Sequence, residues 1–483
     1  MTWNYTPPPA PPPPAPPPKS GLRRRNRALI LVAVVALVGL VAAITLNVVS
    51  GRHDGGESLR ATRDSNWTPP TQTFLASRMD VRPVTGWTAR IGDLGLPPES
   101  TFASSADPIW SQPFVGDQGS HGFLIARTPD AAGSQWWLVG VDAHTGGRLF
   151  APVRLDAATI SPECFLNGPE AIVCLRDGDQ GGTAWVVDTS SGLVTFTGPT
   201  DLRTSAGALH VVQAGLYAVA QTTGQGVFGI GPRAETTWFV PGKGQVDTRT
   251  SRATNVDPQT LATQEAGGEA TTVFSLADGK VIAPELDEGL SPASAVVYPG
   301  GFAVEVVDSQ STSMPVGVEF FDAVGDRTGR VDGSGFLSTS SMDIPIVEST
   351  PKPSVYSPAG HKLADISWFE TGDPALLIGT TLFVGGQSFE HDPQQYDLTT
   401  GSERKACKVT LSNYLATDGK VAIFESNTPN VGLGTKAVDL ATCDILWSID
   451  SPVESFRGVW RIDTSLVQLS DDGTELTSLV APS

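Results

Sequence analysis

The sequence predicts an all-β fold, a β-propeller built from four-stranded blades, and two observations support that prediction. The composition favours strands joined by turns, because the 483 residues include 51 glycines and 38 prolines and only 17% are charged. A strand–turn–strand unit also recurs along the chain, with most copies 40 to 46 residues apart. Four short strands in about 42 residues is the period of a propeller blade. A single blade cannot bury both faces, whereas a closed ring of blades buries them and removes the open edges.

The clearest copy of the unit is Trp136–Phe150, which reads WWLVGVDAHTGGRLF. An apolar run ends at Asp142, a polar turn follows, and a short return strand completes the copy. Gly146 stands where the turn requires a positive φ, which glycine adopts at little cost. The other copies are marked by Asp188, Gly231, Ala277 with Asp278, Asp322, Ser357, Asp397 and Asp439, and the last apolar run is Thr474–Ala481.

The intervals between the copies supply the remaining strands. Apolar runs suited to inner strands are Gly122–Arg127, Ala171–Arg176, Gly215–Gln221, Gly301–Val307, Ala375–Val384 and Lys420–Glu425. The copies number about nine. We expect eight blades, within a range of seven to nine, because one degraded copy is not expected to form a blade of its own. Only Thr250–Gln264 shows a weak helical pattern.

The repeat resembles that of the quinoprotein-like (PQQ-like) β-propellers over roughly residues 85–483. Its turn, apolar-x-apolar-Asp-x-x-Thr/Ser-Gly, is best matched by Asp142–Gly146, Asp188–Gly192 and Asp397–Gly401, and Ile445–Trp447 is similar to its closing strand. The resemblance implies a ring closed by a strand from one terminus, and Gly86–Ile91 fits that role beside Thr474–Ala481. It also raises a quinone-dependent dehydrogenase as an alternative. The adjacent cysteines of such enzymes are missing, and no Ca²⁺ ligands or catalytic base can be assigned, so we predict no cofactor.

The N-terminal segments predict a membrane anchor. Residues 1–27 form a Pro-rich tail that ends in a basic cluster, and residues 28–49 are 22 uncharged, mainly apolar residues, long enough to cross a bilayer. Because the arginines precede the apolar run, we expect a cytoplasmic tail and an exported body, with residues 50–84 as a linker and residues 85–483 as the propeller. A cleaved signal peptide is the alternative, but the run is long and Val48–Gly51 is a poor cleavage site.

The charge of the exported part excludes one class of partner. The chain carries a formal charge of −19, and the five cations of its first 50 residues leave −24 on residues 51–483. Such a body repels nucleic acid and anionic lipid.

The four cysteines, Cys164, Cys174, Cys407 and Cys443, predict two disulfides in an exported chain. Three pairings are available. We favour Cys164–Cys174, which flank a turn signal, and Cys407–Cys443, which lie after the return strand of one blade and in the turn of the next. A redox-active pair is the alternative, and neither pair has the CxxC spacing.

Other side chains give no chemical signal. The six histidines are isolated. Asp177–Asp188 superficially resembles a calcium-binding loop but lies between strands rather than helices, so no metal site is predicted. Tryptophans near strand positions suit blade packing, with a sugar-stacking platform as the alternative; they are Trp136, Trp185, Trp238, Trp447 and Trp460. No catalytic residue is assigned.

The sequence therefore predicts a non-catalytic, membrane-anchored scaffold or sensor that binds envelope proteins through its propeller loops. The Pro-rich tail offers a docking segment for a cytoplasmic partner. The alternative is an enzyme or a receptor that holds a quinone, sugar or metal in the propeller channel.

Overall fold

The computed structural model describes residues 67–483, apart from 104–111, 131–132, 159–160, 179–180, 206, 248–253, 267–269, 340, 350, 368–372, 386–391, 429–431 and 450–457. The tail, the predicted anchor 28–49 and the first part of the predicted linker lie outside the described residues. In the part that is described, no helix has both the length and the apolar character needed to cross a bilayer.

The described strands form nine antiparallel sheets, which we number as blades in chain order. Blade 1 contains β2 (Thr101–Phe102), β3 (Phe114–Gln118), β4 (His121–Asp130), β5 (Gly133–Asp142) and β6 (Val153–Ala158). Blade 2 contains β7 (Glu163–Leu166), β8 (Ala171–Arg176), β9 (Gly182–Asp188) and β10 (Val194–Thr200). Blade 3 contains β11 (His210–Ala214), β12 (Tyr217–Thr222), β13 (Gly226–Ile230) and β14 (Thr236–Pro241). Blade 4 contains β15 (Leu261–Glu265), β16 (Thr271–Ser275) and β17 (Val281–Ile282). Blade 5 contains β18 (Leu290–Tyr298), β19 (Gly301–Asp308), β20 (Ser311–Asp322) and β21 (Arg327–Asp332). Blade 6 contains β22 (Gly335–Leu337), β23 (Ile346–Ser349), β24 (Ser354–Tyr356) and β25 (Lys362–Asp365).

The remaining three blades complete the order. Blade 7 contains β26 (Ala375–Ile378), β27 (Thr381–Val384), β28 (Gln394–Asp397) and β29 (Ser402–Arg404). Blade 8 contains β30 (Tyr414–Thr417), β31 (Val421–Thr428), β32 (Gly432–Asp439) and β33 (Ile445–Ile449). Blade 9 contains β34 (Val459–Ile462), β35 (Ser465–Leu469), β36 (Glu475–Val480) and β1 (Val84–Arg90). A short 3₁₀ helix, Leu411–Asn413, precedes β30.

The blades close into a ring, because a hydrophobic cluster lies between every two consecutive blades and between blade 9 and blade 1. In β8, Ile172 and Cys174 face blade 1, while Val173 and Leu175 face blade 3. Both faces of such a strand are buried, which explains its unbroken apolar sequence. Full burial of one aliphatic side chain is worth roughly 1.5–3 kcal/mol, so each blade is stabilised mainly by its two neighbours.

The ring is closed by a strand from the N-terminal side. Strand β1 pairs antiparallel with β36, with Thr88 opposite Thr477 and Ala89 opposite Leu476. The predicted closing strand Gly86–Ile91 is thereby confirmed, and it lies beside the predicted run Thr474–Ala481.

The expected number of eight blades is wrong, because the described residues form nine sheets. Each sequence copy has a blade of its own, including the degraded copies at Gly231 and Ser357. Ser357 belongs to blade 6, whose four strands are only three or four residues long, and this accounts for the short sequence step before it.

Blade 4 departs from the four-strand pattern. Its first-strand position is taken by an irregular stretch that touches β15 through an isolated bridge between Val246 and Gln264. The weak helical pattern in Thr250–Gln264 is also wrong for its described part, where Val256 forms a bridge and β15 begins at Leu261. Tertiary pairing overrides the local helical preference here.

The turn between third and fourth strands repeats one structure. In blades 1, 2, 7 and 8 the aspartate Oδ1 accepts hydrogen bonds of 2.7–3.2 Å from the amides two and three residues later. The fifth residue has a positive φ; these residues are Gly146 (73°), Gly192 (69°), Gly401 (63°) and Cys443 (64°). An aspartate that caps its own turn explains the recurrent sequence signal.

Candidate functional site: the channel mouth

The loops between first and second strands gather on one side of the ring, which we call the hairpin face. Loops from blades 1, 2, 3 and 5 line one common cavity there, and loops from blades 7, 8 and 9 bind one common chain segment. Loops from so many blades meet only around the axis of the ring. The first strands are therefore the inner ones, and the hairpin face surrounds the mouth of the central channel.

The segment Trp67–Pro83, which we call the strap, crosses this mouth. The Gln72 side chain exchanges two hydrogen bonds with Gly379 in blade 7, at 2.8 and 2.9 Å. The Leu75 amide donates to Thr417 in blade 8, and the Ala76 amide donates to Thr464 in blade 9. The strap falls within the predicted linker 50–84, yet it is packed on the propeller.

Two buried side chains anchor the strap further along. Leu75 and Met79 lie in the cluster between blades 8 and 9, and both are at most 5% exposed. The Met79 amide donates to Asp418 Oδ2 at 2.7 Å, and Trp447 Nε1 donates to the Met79 carbonyl at 2.7 Å. Met79 is thus fixed by its side chain and by both of its backbone polar groups.

A second segment, Thr254–Thr260, which we call the crossing segment, lies beside the strap. Val256 forms an antiparallel bridge with Gln72, and the Thr73 amide donates to the Asn255 carbonyl at 2.8 Å. The crossing segment also passes directly over the blade 3 hairpin, because a Cβ atom on Gly215 would collide with the Gln259 carbonyl. Glycine is therefore required at position 215 by close approach as well as by its φ of 54°.

Buried polar groups hold the two segments together. Arg461 of β34 donates to the carbonyls of Thr73 and Thr254, at 3.1 and 3.0 Å. Tyr414 donates its hydroxyl to Asn255 Oδ1 at 2.6 Å, while the buried Nδ2 of Asn255 has no hydrogen-bond partner. Because an unpaired buried donor is costly, the rest of this network must hold Asn255 in place.

Beside the two segments lies a cavity of about 850 Å³. Its lining includes backbone and apolar groups of the hairpins and four charged side chains, which are Asp117, Asp257, Asp463 and Arg461. The volume is in the range of small-ligand sites. The lining is acidic overall, because three carboxylates face one guanidinium that is already bonded to two carbonyls.

Asp117 and Asp463 meet where blade 1 adjoins blade 9. The Asp463 amide donates to Asp117 Oδ2 at 3.2 Å, and His144 Nε2 lies 3.2 Å from Asp463 Oδ2. Burial raises the pKa of Asp117, although the Asp463 amide and the charge of Arg461 act in the opposite direction. The negative charge of Asp117 is therefore incompletely compensated.

The predicted cysteine pairs are both formed. Cys164 and Cys174 lie opposite each other in β7 and β8, and Cys407 is bonded to Cys443. The second disulfide ties the exit of blade 7 to the turn of blade 8, so it links two blades. Neither pair lines the cavity.

The remaining predicted residues lie elsewhere. The predicted tryptophans pack in or against the hydrophobic clusters between blades. Asp177, at the start of the calcium-like loop, accepts hydrogen bonds from Thr204 and Ser205. Across the described ranges, no group of three or more His, Cys, Asp or Glu side chains is placed to hold a metal. His53 and His391 lie outside those ranges.

The strap and the crossing segment were missed by the sequence analysis. Neither shows a period, and their partners are remote: 307 positions separate Gln72 from Gly379. The sequence signal that could have revealed the strap is the pair Leu75 and Met79, two apolar residues four positions apart in a stretch that is rich in polar residues.

A closed ring of nine antiparallel blades defines a nine-bladed β-propeller. Residues 60–482 match the family model of the conjugation-associated 9-bladed beta-propeller domain, and the chain belongs to that family. A relative in Mycolicibacterium smegmatis (strain MKD8), itself uncharacterised, is 38% identical over 469 residues, which cover 94% of this chain and 97% of that protein.

Similar solved structures are more distant. The computationally designed Ika8 protein is 13% identical with a TM-score of 0.37, and the match covers 65% of this chain and 94% of that one. BamB from Moraxella catarrhalis is 12% identical with a TM-score of 0.30, and the match covers 83% of this chain and 98% of that one.

Proposed function

We propose that the chain is a non-catalytic, membrane-anchored scaffold that binds other proteins of a conjugation apparatus at the cell envelope. Residues 28–49 anchor it, the tail remains cytoplasmic, and the propeller presents its loops outside the membrane. The link to conjugation rests on the family, whose model covers residues 60–482.

The observation that carries the scaffold proposal is the occupied channel mouth. Two segments of the chain itself cross the mouth and are held by backbone hydrogen bonds and by Arg461, and a cavity of about 850 Å³ remains beside them. A site for chemistry in the channel requires access, whereas a surface that binds proteins requires rigid loops. The side chains that join neighbouring hairpins supply that rigidity: Gln118 donates to Gly168 at 2.8 Å, and Gln213 donates to Leu166 at 3.1 Å.

The test is cross-linking of the full-length protein in its native membrane, followed by identification of the proteins that co-purify. Asp257→Ala with Pro258→Ala alters exposed residues of the crossing segment on the hairpin face. Ser309→Ala with Gln310→Ala alters an exposed loop on the opposite face and is the matched control. We expect a reproducible envelope partner whose recovery falls only with the hairpin-face variant. Recovery of no partner with several cross-linkers would contradict the proposal.

The proposed topology has its own test. Protease added to intact cells is expected to cut the exported body while a tag before residue 1 stays protected. Release of the protein from membranes by salt or carbonate alone would contradict the anchor, because an inserted apolar helix requires detergent for extraction.

The acidic cavity supports a second candidate, a receptor for a small ligand such as a sugar or the quinone suggested by the repeat. A ligand that binds only the folded state raises the unfolding temperature. Thermal-shift screens with the quinone plus Ca²⁺ and with sugars test it, and Asp117→Asn is expected to abolish any shift that arises in this cavity. A shift retained in Asp117→Asn would place the ligand elsewhere.

A further inference from the structure

The strap occupies a groove whose bonds are made largely to its backbone. The amides of Thr73, Leu75 and Ala76 donate to carbonyls, and the Thr73 carbonyl accepts from Arg461. Main-chain bonds of this kind provide affinity for an extended chain without specifying its side chains. The groove can therefore hold other extended segments.

Specificity in the groove comes from few side chains. Leu75 and Met79 are buried, and Gln72 bonds to Gly379, whereas Thr71 and Ala76 are exposed. The groove thus selects a segment that bridges the crossing segment at one residue and bends between two apolar residues four positions apart, with an amide side chain three positions before the first.

Charge narrows the partner further. The strap has two arginines, Arg78 and Arg82, and one acidic residue, Asp80, so its net charge is +1. Residues 51–483 together carry −24, as the total of −19 and the five cations of the first 50 residues require. A basic segment is attracted to an acidic body, and this attraction raises the rate of association.

An approach to the groove lies open next to the strap. The 850 Å³ cavity borders Thr73, and its carboxylates Asp117, Asp257 and Asp463 lie on the lining. A basic segment can therefore meet the acidic lining before it replaces the strap's own bonds.

We propose that the channel mouth is a binding groove for an extended, basic segment of a partner protein, and that the strap is its built-in, displaceable occupant. The proposal rests on the scaffold function, since it names the kind of segment that the partner contributes. Binding exchanges one chain for another at the same hydrogen-bond donors and acceptors, so the strap acts as an autoinhibitory contact.

The test locks the strap in the full-length protein. Ala76→Cys with Thr464→Cys places two thiols where the Ala76 amide and the Thr464 carbonyl are 2.9 Å apart, and all four native cysteines are already paired. Ala76→Ser with Thr464→Ser is the matched control that cannot be locked. Formation of the new disulfide is verified by mass spectrometry, and folding by the unfolding temperature.

The probe is a fluorescent synthetic peptide with the sequence of residues 67–83, and anisotropy measures its binding. We expect the locked variant to bind it at least about tenfold more weakly than the serine control. Gln72→Ala, which loses both bonds to Gly379, is expected to bind several-fold more tightly than Thr71→Ala. Equal binding by the locked variant and the serine control would overturn the proposal, as would no binding by Gln72→Ala.

Native partners separate this proposal from the scaffold function. Recovery of an envelope partner by the serine control but not by the locked variant supports both. Equal recovery by the two variants contradicts strap exchange and leaves the scaffold intact, whereas no partner with either variant contradicts the scaffold itself.

Hydrogen exchange gives an independent measure: the amides of Leu75 and Ala76 are expected to exchange before those of β4 and β5. Exchange of all these amides only on global unfolding would contradict a displaceable strap.

Discussion

At the scale of single residues, the recurrent turn combines a capping carboxylate with a position of positive φ. Hydrogen bonds from the side chains and amides of Ser191 and Ser190 lower the pKa of Asp188 to about 2. At Asp397 burial acts to raise the pKa, but Thr399, Thr400 and Arg404 outweigh it and lower the pKa to about 2. Charged aspartate is therefore part of the folded turn.

Asp397→Asn is expected to cost about 1–2 kcal/mol of unfolding free energy at pH 6, because the variant retains an acceptor but loses the charge bonded to Arg404. The folded pKa of Asp397 lies below the ordinary value of 3.8. The stabilisation is therefore present above about pH 4 and is lost as the pH falls towards 2. Urea unfolding between pH 2 and 7 checks this, with Glu403→Gln, an exposed carboxylate on the next strand, as control. A constant difference across that range would contradict the assignment.

Cys443 occupies a position where the equivalent turns have glycine, with a φ of 64°. Removal of the disulfide by Cys407→Ala with Cys443→Ala is expected to cost about 2–4 kcal/mol. Cys407→Ala with Cys443→Gly removes the same bond but relieves the backbone, so it is expected to be about 1 kcal/mol more stable than the alanine pair. Denaturant unfolding of both variants measures the difference. Equal stabilities would show that the positive φ carries no penalty here.

At the scale of elements, an outer strand of one blade packs on the turn of the next. Trp87 of β1 covers Gly146 in blade 1 and donates from Nε1 to the Ala143 carbonyl at 2.9 Å. Trp238 of β14 covers Gly279 in blade 4 in the same way, and Phe150, three residues before β6, covers Gly192 in blade 2. The glycine thus serves both the turn and the contact between blades.

Gly146→Ala is expected to destabilise the ring by about 2–4 kcal/mol, through both φ strain and overpacking. The new Cβ would lie 2.5 Å from Cε3 of Trp87, at a φ of 73°. Gly224→Ala is the matched control, because its φ is 76° and no atom lies within 4 Å of the new Cβ. It is expected to cost only about 1 kcal/mol. Equal losses of stability for the two variants in thermal unfolding would show that the close packing of Trp87 on Gly146 contributes nothing to the cost.

At the scale of the whole molecule, the N-terminal region closes the ring twice. Strand β1 completes blade 9 through its pairing with β36, and the strap joins the hairpins of blades 7, 8 and 9 across the axis. Without these elements, the ring would expose the edge of β36 and part of two hydrophobic clusters. Exposed strand edges of this kind favour aggregation.

A chain that begins at residue 67 is expected to unfold in one cooperative transition, whereas a chain that begins at residue 91 is expected to lose cooperativity and aggregate. The shorter chain lacks Leu75, Met79 and Trp87 from the contacts that close the ring. Calorimetry and light scattering of the two chains check this. An unchanged single transition in the shorter chain would show that the ring tolerates the loss of β1 and the strap.

The sequence by itself determined the all-β fold, the blade repeat, the closing strand and the cysteine pairing. The fold and the repeat depend on local alternation and on turn chemistry such as Asp142 with Gly146, which are properties of short segments, and the cysteine pairing depends on positions relative to the repeat. The closing strand was expected from the resemblance to the quinoprotein-like repeat. The same reasoning gave eight blades, because the short copy at Ser357 and the irregular blade 4 weaken the local signal while neighbouring blades still bury both sheets.

Only the tertiary structure decided what fills the channel mouth. In blades 7, 8 and 9 the strap bonds to partners more than 300 residues away, as the Met79 contact with Asp418 across 339 positions illustrates. Such contacts depend on where the closed ring brings backbone groups together, and backbone amides and carbonyls are the same at every position of the sequence. A stretch with the composition of a linker therefore becomes the occupant of the channel mouth once nine blades surround it.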